Sequence, residues 1–402
     1  MKVAVIGGGA AGFFAALSCK THHPDASVDI IEASNKTLSK VKVSGGGRCN
    51  VTNACESRAD FLRHYPRGSK QLKKTFAHFD RVGTIDWFAQ RGVSLKTEPD
   101  GRMFPVTNDS QTIIDCLRNE SQKLGVQILQ KQRLENLKPD NNGFMISIQG
   151  EESAYDRVIV STGGSPKSSG YDWLRELGHA IVEPVPSLFT FNIPTEKKLI
   201  ALSGTAVPKA TVKIQGSKLV EQGPLLITHW GLSGPAVLKL SAWGARQLAE
   251  MDYQFSALVN WTAYDNENQA REQLQSELPN IEKKQISNIN PFDLPKRLWA
   301  YLLDRVEIDP NKRWNELGKK DKNRLINVVC NDSYEISGKT TFKEEFVTCG
   351  GVDLAEVDFN TMASRQVPGL YFAGEVLNID GITGGFNFQA AWSTGFVAGR
   401  LG

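Results

Sequence analysis

The chain has 402 residues, with 47 Lys and Arg against 44 Asp and Glu, 36 Gly and 6 Cys. A formal net charge of +3 on this length argues against a protein built mainly around polyanion binding, though not against a local basic patch. Six cysteines (Cys19, Cys49, Cys55, Cys116, Cys330, Cys349) form no CxxC pair, which argues against a zinc ribbon or a dithiol redox centre, so no metal site is expected.

At this length roughly two to three domains are expected. Lys2 to Ile6 reads as a short buried strand rich in β-branched residues. The apolar run to Leu17 mimics a secretory h-region, but Gly7, Gly8, Gly9 and Gly12 are poor material for one. No run of about 18 apolar residues occurs elsewhere. A cytoplasmic protein without membrane association is expected, in line with its low cysteine usage.

The strand enters Gly7-Gly8-Gly9-Ala10-Ala11-Gly12, a helix over Phe13 to Lys20 follows, and a second strand, Val28 to Glu32, ends in an acid. Gly12 to Glu32 is about 20 residues, the spacing of the dinucleotide fingerprint. Gly7 permits the tight turn, Gly9 lets backbone approach a pyrophosphate, and Gly12 lets helix and strand pack closely. The helix N-terminus offers free N–H groups to phosphate, and Glu32 suits ribose hydroxyls. The fingerprint alone leaves FAD and NAD open.

Further along, Lys42 to Asn53 holds three consecutive glycines, Gly45, Gly46 and Gly47, a costly loop unless backbone must approach a ligand. Ser44, Arg48, Asn50 and Thr52 add donors for phosphate or flavin oxygens. Cys49, beside Arg48, is a candidate redox-active thiol or flavin neighbour, with small-residue packing as the plainer reading. Arg102 is a candidate for a substrate carboxylate or the flavin, against an ordinary salt bridge. Arg63, Arg67, Lys70, Lys73 and Lys74 form one basic run, and Lys319, Lys320, Lys322 and Arg324 another; both read more naturally as solvated faces than as nucleic-acid contacts.

Val158 to Val160 is a strand leading to the small-residue turn Ser161-Thr162-Gly163-Gly164, placed to pass close to a cofactor. Pro184-Val185-Pro186 reads as a linker. Alternating segments such as Ala210–Ile214 and Leu225–Thr228 suggest a small β-barrel. From Asp265 to about Asn327 the chain turns charged and helical, with apolar residues at helical spacing over 295–303. His229, in Thr228-His229-Trp230-Gly231, is a candidate acid or base because imidazole titrates near neutrality. Finally, a strand over Leu370 to Phe372 enters Gly374-Glu375, followed by Asp380-Gly381 and by Gly384-Gly385-Phe386-Asn387, which opens a helix. That helix N-terminus is placed to stabilise an anionic reduced flavin.

The blocks GGGAAG (7–12), SGGGRCNVTN (44–53), GRMFP (101–105), THWGLSGPAVL (228–238), TCGGV (348–352) and LYFAGEVLNIDGITGGFNFQAAWSTG (370–395) resemble the BaiN-like, aminoacetone-oxidase-like NAD(P)/FAD-dependent oxidoreductases. Asn378 stands where that family usually has an acid, and Phe388 where it usually has an aliphatic residue. The resemblance implies an α/β fold: a discontinuous Rossmann-like FAD-binding domain with an inserted β-barrel and a small helical insert. Its division is 1–185 (flavin), 186–264 (barrel), 265–327 (helical), 328–349 (barrel return) and 350–402 (flavin).

The FAD contacts implied are Gly7, Gly9, Ala11, Gly12 and Glu32 at the pyrophosphate and ribose; Ser44, Gly45, Gly46, Arg48, Cys49 and Asn50 along the flavin; and Thr162 and Gly163. On the C-terminal side they are Gly374, Glu375 and Asp380, with Gly384, Gly385 and Asn387 near the ring. By analogy with two-dinucleotide-binding flavoproteins, the strand Val126–Gln130 and its continuation to Leu134 would meet adenine. The expected activity is hydride transfer between FAD and a small organic molecule. NAD(P)H as a transient donor, or O₂, is the electron partner, because no second complete fingerprint follows a strand. A flavin-dependent RNA-modifying protein and a non-catalytic redox sensor are the alternatives. The oligomeric state is not legible.

Overall fold

A computed structural model describes residues 1–140, 143–341 and 347–402. The chain divides into two compact units, one of residues 1–187 and 342–402, the other of residues 188–341.

The first unit is organised on a seven-stranded sheet in the order 357–358, 363–364, 370–372, 157–160, 2–6, 27–32, 127–130. The strands from Leu370–Phe372 to Gln127–Gln130 all run parallel. Lys2–Ile6 lies between neighbours, so Val3, Ala4 and Val5 are fully buried and the strand reads as a continuous apolar run. The first helix, Ala10–His22, packs against the C-terminal helix, Phe386–Gly399. Gly395 and Gly399, four residues apart on one face, make that approach possible: a Cβ on either would strike the carbonyl oxygen of Ala11 or Ala15. Phe14 fills the space beside this seam, among Phe79, Trp87, Phe88 and Trp392.

Ile181–Ser187 pairs antiparallel with Val347–Val352. The prolines at 184 and 186 thus sit inside a strand, beside a register shift between Val182 and Val185, where a missing N–H is tolerated. Residues 332–340 belong to the second unit's sheet, whereas Val347–Val352 belongs to the first unit.

The second unit carries a seven-stranded antiparallel sheet in the order 332–337, 254–260, 206–214, 220–227, 231–233, 190–192, 339–340. Its two outermost strands are consecutive in the chain, separated by Gly338. The Gly338 N–H donates to Tyr253 O at 2.9 Å, and its carbonyl accepts from Asn192 N at 3.1 Å. The two ends of the sheet thus meet at one glycine, with Lys339 and Thr340 paired to Phe191 and Thr190. Val212, Ile214, Leu225, Ile227, Ala257, Val259 and Ile336 alternate inward to form its core. Helices Glu267–Ile281, Lys296–Arg305 and Lys319–Cys330 extend that core with Leu298, Trp299, Leu302, Leu325 and Ile326. Asp332, buried, takes Arg305 Nε at 2.6 Å and Trp261 Nε1 at 2.9 Å. Among the described residues no helix is long and apolar enough to cross a membrane.

Candidate functional site

The first unit brings the glycine clusters of the sequence together. Gly7 has a φ of 112°, and a Cβ there would strike the backbone of Ser161; a Cβ on Gly12 would strike Gly7 O. The Ser161 hydroxyl donates to Ile6 O (3.0 Å) and Gly7 O (3.1 Å), clamping the 161–164 turn to the first. Gly9 differs, since a Cβ there would meet nothing within 4 Å. Two glycines of the fingerprint are thus consumed by packing, and the third faces open space. Glu32 accepts from Gly8 N and Ser34 N, each at 2.8 Å. Lys131 N and Gln132 N donate to Ser34 O and Glu32 O, which carries the chain to Leu134 alongside the end of strand Ser27–Glu32.

The 44–53 segment meets the 381–392 segment. Asn53 Nδ2 donates to Gly384 O (3.0 Å), Thr52 Oγ1 to Gln389 Oε1 (2.7 Å) and Trp392 Nε1 to Val51 O (2.9 Å). Asn50, with its amide turned so that both ends are satisfied, accepts from Gly385 N and donates to Thr52 O. A Cβ on Gly385 would lie 2.5 Å from Thr52 O. Asn387 closes its own loop, accepting from Gly381 N and donating to Gly381 O; its amide shapes the helix N-terminus. Helix Ser39–Gly47 loses helical geometry at Ser44, and Gly46 and Gly47 border open space with positive φ. Gly45 is packed against Phe104.

Gly374 N donates to Thr394 Oγ1 at 2.9 Å, and a Cβ on Gly374 would press on Ala11. Glu375 accepts from Thr348 N (2.8 Å) and from Lys40 Nζ (2.7 Å). Gly164 packs against Thr348 and Glu375, while Thr162 is exposed and Gly163 borders open space. Asp380, fully buried, accepts from Arg67 Nε and Nη2 along one edge of the guanidinium and from the Ser187 hydroxyl. Burial is the largest influence on its acidity and pushes its pKa up, against the pull of Arg67 and Ser187. Its carboxylate is engaged by protein groups, and Arg67 is no part of a solvated basic face.

The three candidate reactive residues fall in different settings. Cys49 is fully buried at a φ of 62°, and burial pushes its thiol up to about 12 against a hydrogen bond with Ser44. It holds no thiolate near neutrality. Arg102 is tied to Glu98 and Asp100 (3.1 and 2.7 Å). Arg48 also reaches Glu98 (2.6 Å) and lies over the Phe104 ring at 4.0 Å. His229 lies in the second unit, exposed, with Nδ1 2.9 Å from Ser203 Oγ.

Sequence reasoning missed Asn53, Arg67, Ser161, Thr348 and Thr394 as organisers of this region. Asn53 and Thr348 stand inside blocks already singled out. Arg67 was hidden in a basic run, and its partner lies 313 positions away. Two buried oxygens of the region, Thr348 Oγ1 and Asn378 Oδ1, have no protein partner. Unpartnered buried acceptors, open backbone at Gly9, Gly46, Gly47 and Gly163, and two helix N-termini free of acidic side chains in their first turns fit an elongated anionic dinucleotide with its own hydroxyl and N–H donors.

A parallel nucleotide-binding sheet with this cradle defines a flavoprotein oxidoreductase with FAD as its cofactor. The chain belongs to the HI0933-like family, whose Rossmann-domain description matches residues 1–401. It is 29% identical over 406 residues to the 3-dehydro-bile acid delta(4,6)-reductase of Clostridium scindens, covering 99% of this chain and 98% of that protein. It is 30% identical over 409 residues to the ribosomal RNA dihydrouridine synthase of Escherichia coli, covering 98% and 96%. Among solved structures, 3-ketosteroid delta1-dehydrogenase from Sterolibacterium denitrificans shares the fold. That match has a TM-score of 0.50 at 12% identity and covers 99% of this chain and 98% of the other.

Proposed function

We propose that this protein reduces a carbon–carbon double bond conjugated to a carbonyl in a ring, with reduced nicotinamide as electron donor. One observation carries the reading. The two relatives matched end to end are named for saturating such a bond, one in a 3-dehydro bile acid and the other in uridine. Their substrates differ greatly in size and charge, so what they share is the reacting group.

In this reading the backbone at Gly7, Gly9, Ala11 and Gly12 holds the pyrophosphate, Glu32 the adenosine ribose, and the chain before Leu134 the adenine. Gly374, Glu375 and Thr348 border the ribityl chain. Ser44, Gly46, Asn50, Gly384, Gly385 and Asn387 surround the ring. Bound FAD supplies hydride chemistry. The protein's part is to fix the ring and to point the N-terminus of helix Phe386–Gly399 at the place where negative charge gathers on reduction. Asp380 and Arg67 act one step away, holding the 380–385 loop in place.

A small ring-containing ketone or lactam is the first substrate class. Uridine within RNA is the second reading, favoured by the dihydrouridine synthases of Escherichia coli and Haemophilus influenzae, each 30% identical to this chain. Mixing purified FAD-loaded protein with NADH and NADPH without oxygen tests the donor. Bleaching of the flavin band at about 450 nm within minutes is expected. A flavin left oxidised by both donors would sink the nicotinamide-dependent version.

A further inference from the structure

Saturating a carbon–carbon bond conjugated to a carbonyl adds a hydride to one carbon and a proton to its neighbour. The hydride is the chemistry that FAD supplies when bound; the proton needs a donor. Several groups at the 380–386 loop are already committed. Tyr65, buried, donates its hydroxyl to Phe386 O at 2.6 Å. Asp380 is held by Arg67 and Ser187, and Cys49 is fully buried.

Cys55 and His64 stand at the same loop and have no role so far. Of the six cysteines, Cys19, Cys49, Cys330 and Cys349 are buried, while Cys55 and Cys116 are half-buried. Cys116 lies on helix Ser110–Lys123, beside Arg91 and Glu120. Cys55 is tied to the cradle instead. Its thiol donates to Asn53 Oδ1 at 3.2 Å, and the same amide donates from Nδ2 to Gly384 O at 3.0 Å. His64 grips the loop at a second point. Its carbonyl accepts from Ile382 N at 2.9 Å, and its ring stacks on Phe386 with centroids 4.3 Å apart. His64 Nδ1 lies 2.8 Å from Asp60 O, which can only accept, so Nδ1 carries the proton. That N–H stands 4.0 Å from Cys55 Sγ. A thiol, an imidazole held as a donor beside it and an amide that reaches Gly384 thus share one loop of the first unit.

The setting suits a thiol that gives up a proton and takes it back. Burial, the largest influence, raises the Cys55 pKa; Arg81 pulls it down and Asp60 pushes it up. Tyr65 and His64 are the other titratable groups beside it. The thiol therefore holds its proton at neutrality, as a general acid must, and the imidazole N–H favours the thiolate left behind.

We propose that Cys55 faces the flavin ring and is the proton donor of the reduction, with His64 as the positioning residue that steadies its thiolate. The S–H bond breaks as a C–H bond forms on the carbon next to the carbonyl. The hydride on the other carbon originates from reduced nicotinamide, and water returns a proton to the half-buried sulfur. The inference rests on the reaction proposed above.

Two measurements test it. The first follows labelling of Cys55 by iodoacetamide across pH, located by peptide mass spectrometry, with and without bound FAD. FAD is expected to slow this labelling about threefold or more, and His64→Gln to move its pH profile upward. The second follows both half-reactions in wild type and Cys55→Ala, with a 4-en-3-one steroid and a short single-stranded oligouridine as acceptors. In Cys55→Ala, FAD content and bleaching by the nicotinamide should match wild type, while re-oxidation by the acceptor slows about a hundredfold or more. Re-oxidation of Cys55→Ala at the wild-type rate, or labelling indifferent to FAD, overturns the inference. Labelling that FAD slows, with neither acceptor re-oxidising wild type, upholds the placement of Cys55 at the flavin and removes the proposed reaction instead.

Discussion

The two units are packed in different ways. In the first, glycines and small hydroxyl residues bring backbone segments into contact, and two buried oxygens, Thr348 Oγ1 and Asn378 Oδ1, have no protein partner beside the proposed ligand. In the second, a sheet whose two ends meet and three long helices bury a continuous apolar cluster that includes Trp261, Trp299 and Trp314. Each unit also encloses one buried carboxylate on an arginine, Asp380 on Arg67 and Asp332 on Arg305. The first of these pairs holds a loop of the cradle. The second ties helix Lys296–Arg305 to strand Asp332–Ser337. Similar chemistry thus serves a binding loop in one unit and the assembly of a core in the other.

Breaking the two ion pairs is the severest way to test that difference. Arg67→Met strands a fully buried carboxylate and is expected to cost about 3–5 kcal/mol in urea unfolding, together with loss of bound flavin. Arg305→Met should cost less, near the lower end of about 3 kcal/mol, because Asp332 keeps Trp261 and Tyr334. Its flavin content should remain that of wild type. Equal flavin loss in both variants would erase the distinction.

A smaller effect separates two glycines three residues apart. Gly12→Ala meets Gly7 O and should destabilise the protein by about 2 kcal/mol or more. Gly9→Ala adds a Cβ that meets nothing within 4 Å, so its melting temperature without FAD should be unchanged while its FAD dissociation constant rises about tenfold. Thermal melts with and without added FAD read both.

The smallest effect concerns pH. His179 is buried, its Nε2 2.8 Å from Ser364 Oγ and its Nδ1 without a partner. Burial, the largest influence, lowers its pKa despite Glu356 and a backbone contact that raise it. The folded protein thus favours the neutral ring. Its contribution to stability is present above the ordinary histidine value of about 6.5 and is lost as pH falls from there through the lowered folded value. Acidifying across that window should lower the melting temperature more in wild type than in His179→Gln.

Much of the first unit was legible in the sequence because its constraints are local. The Gly7–Gly12 turn, the helix after it and Glu32 lie within one strand–helix–strand unit, and the structure places Lys2–Ile6, Ala10–His22 and Ser27–Glu32 where the pattern puts them. What escaped depends on residues far apart in the chain. The pair Arg67–Asp380, the meeting of Asn53 with Gly384 and the joining of the second sheet's two ends at Gly338 leave no local periodicity. Cys49 read either as a thiol activated by Arg48 or, more plainly, as a small packing residue, and its full burial agrees with the plainer reading. The prolines at 184 and 186 suggested a linker, and only the pairing partner at 347–352 reveals a strand.

The proposed reaction is tested most directly by reducing the bound flavin with light in the absence of oxygen and then adding the conjugated acceptor. Re-oxidation of the flavin by the 4-en-3-one steroid or by uridine in RNA, with the acceptor gaining two hydrogens by mass spectrometry, is the result predicted. A flavin that stays reduced with both acceptors, and recovers its colour only on admission of air, would contradict the account.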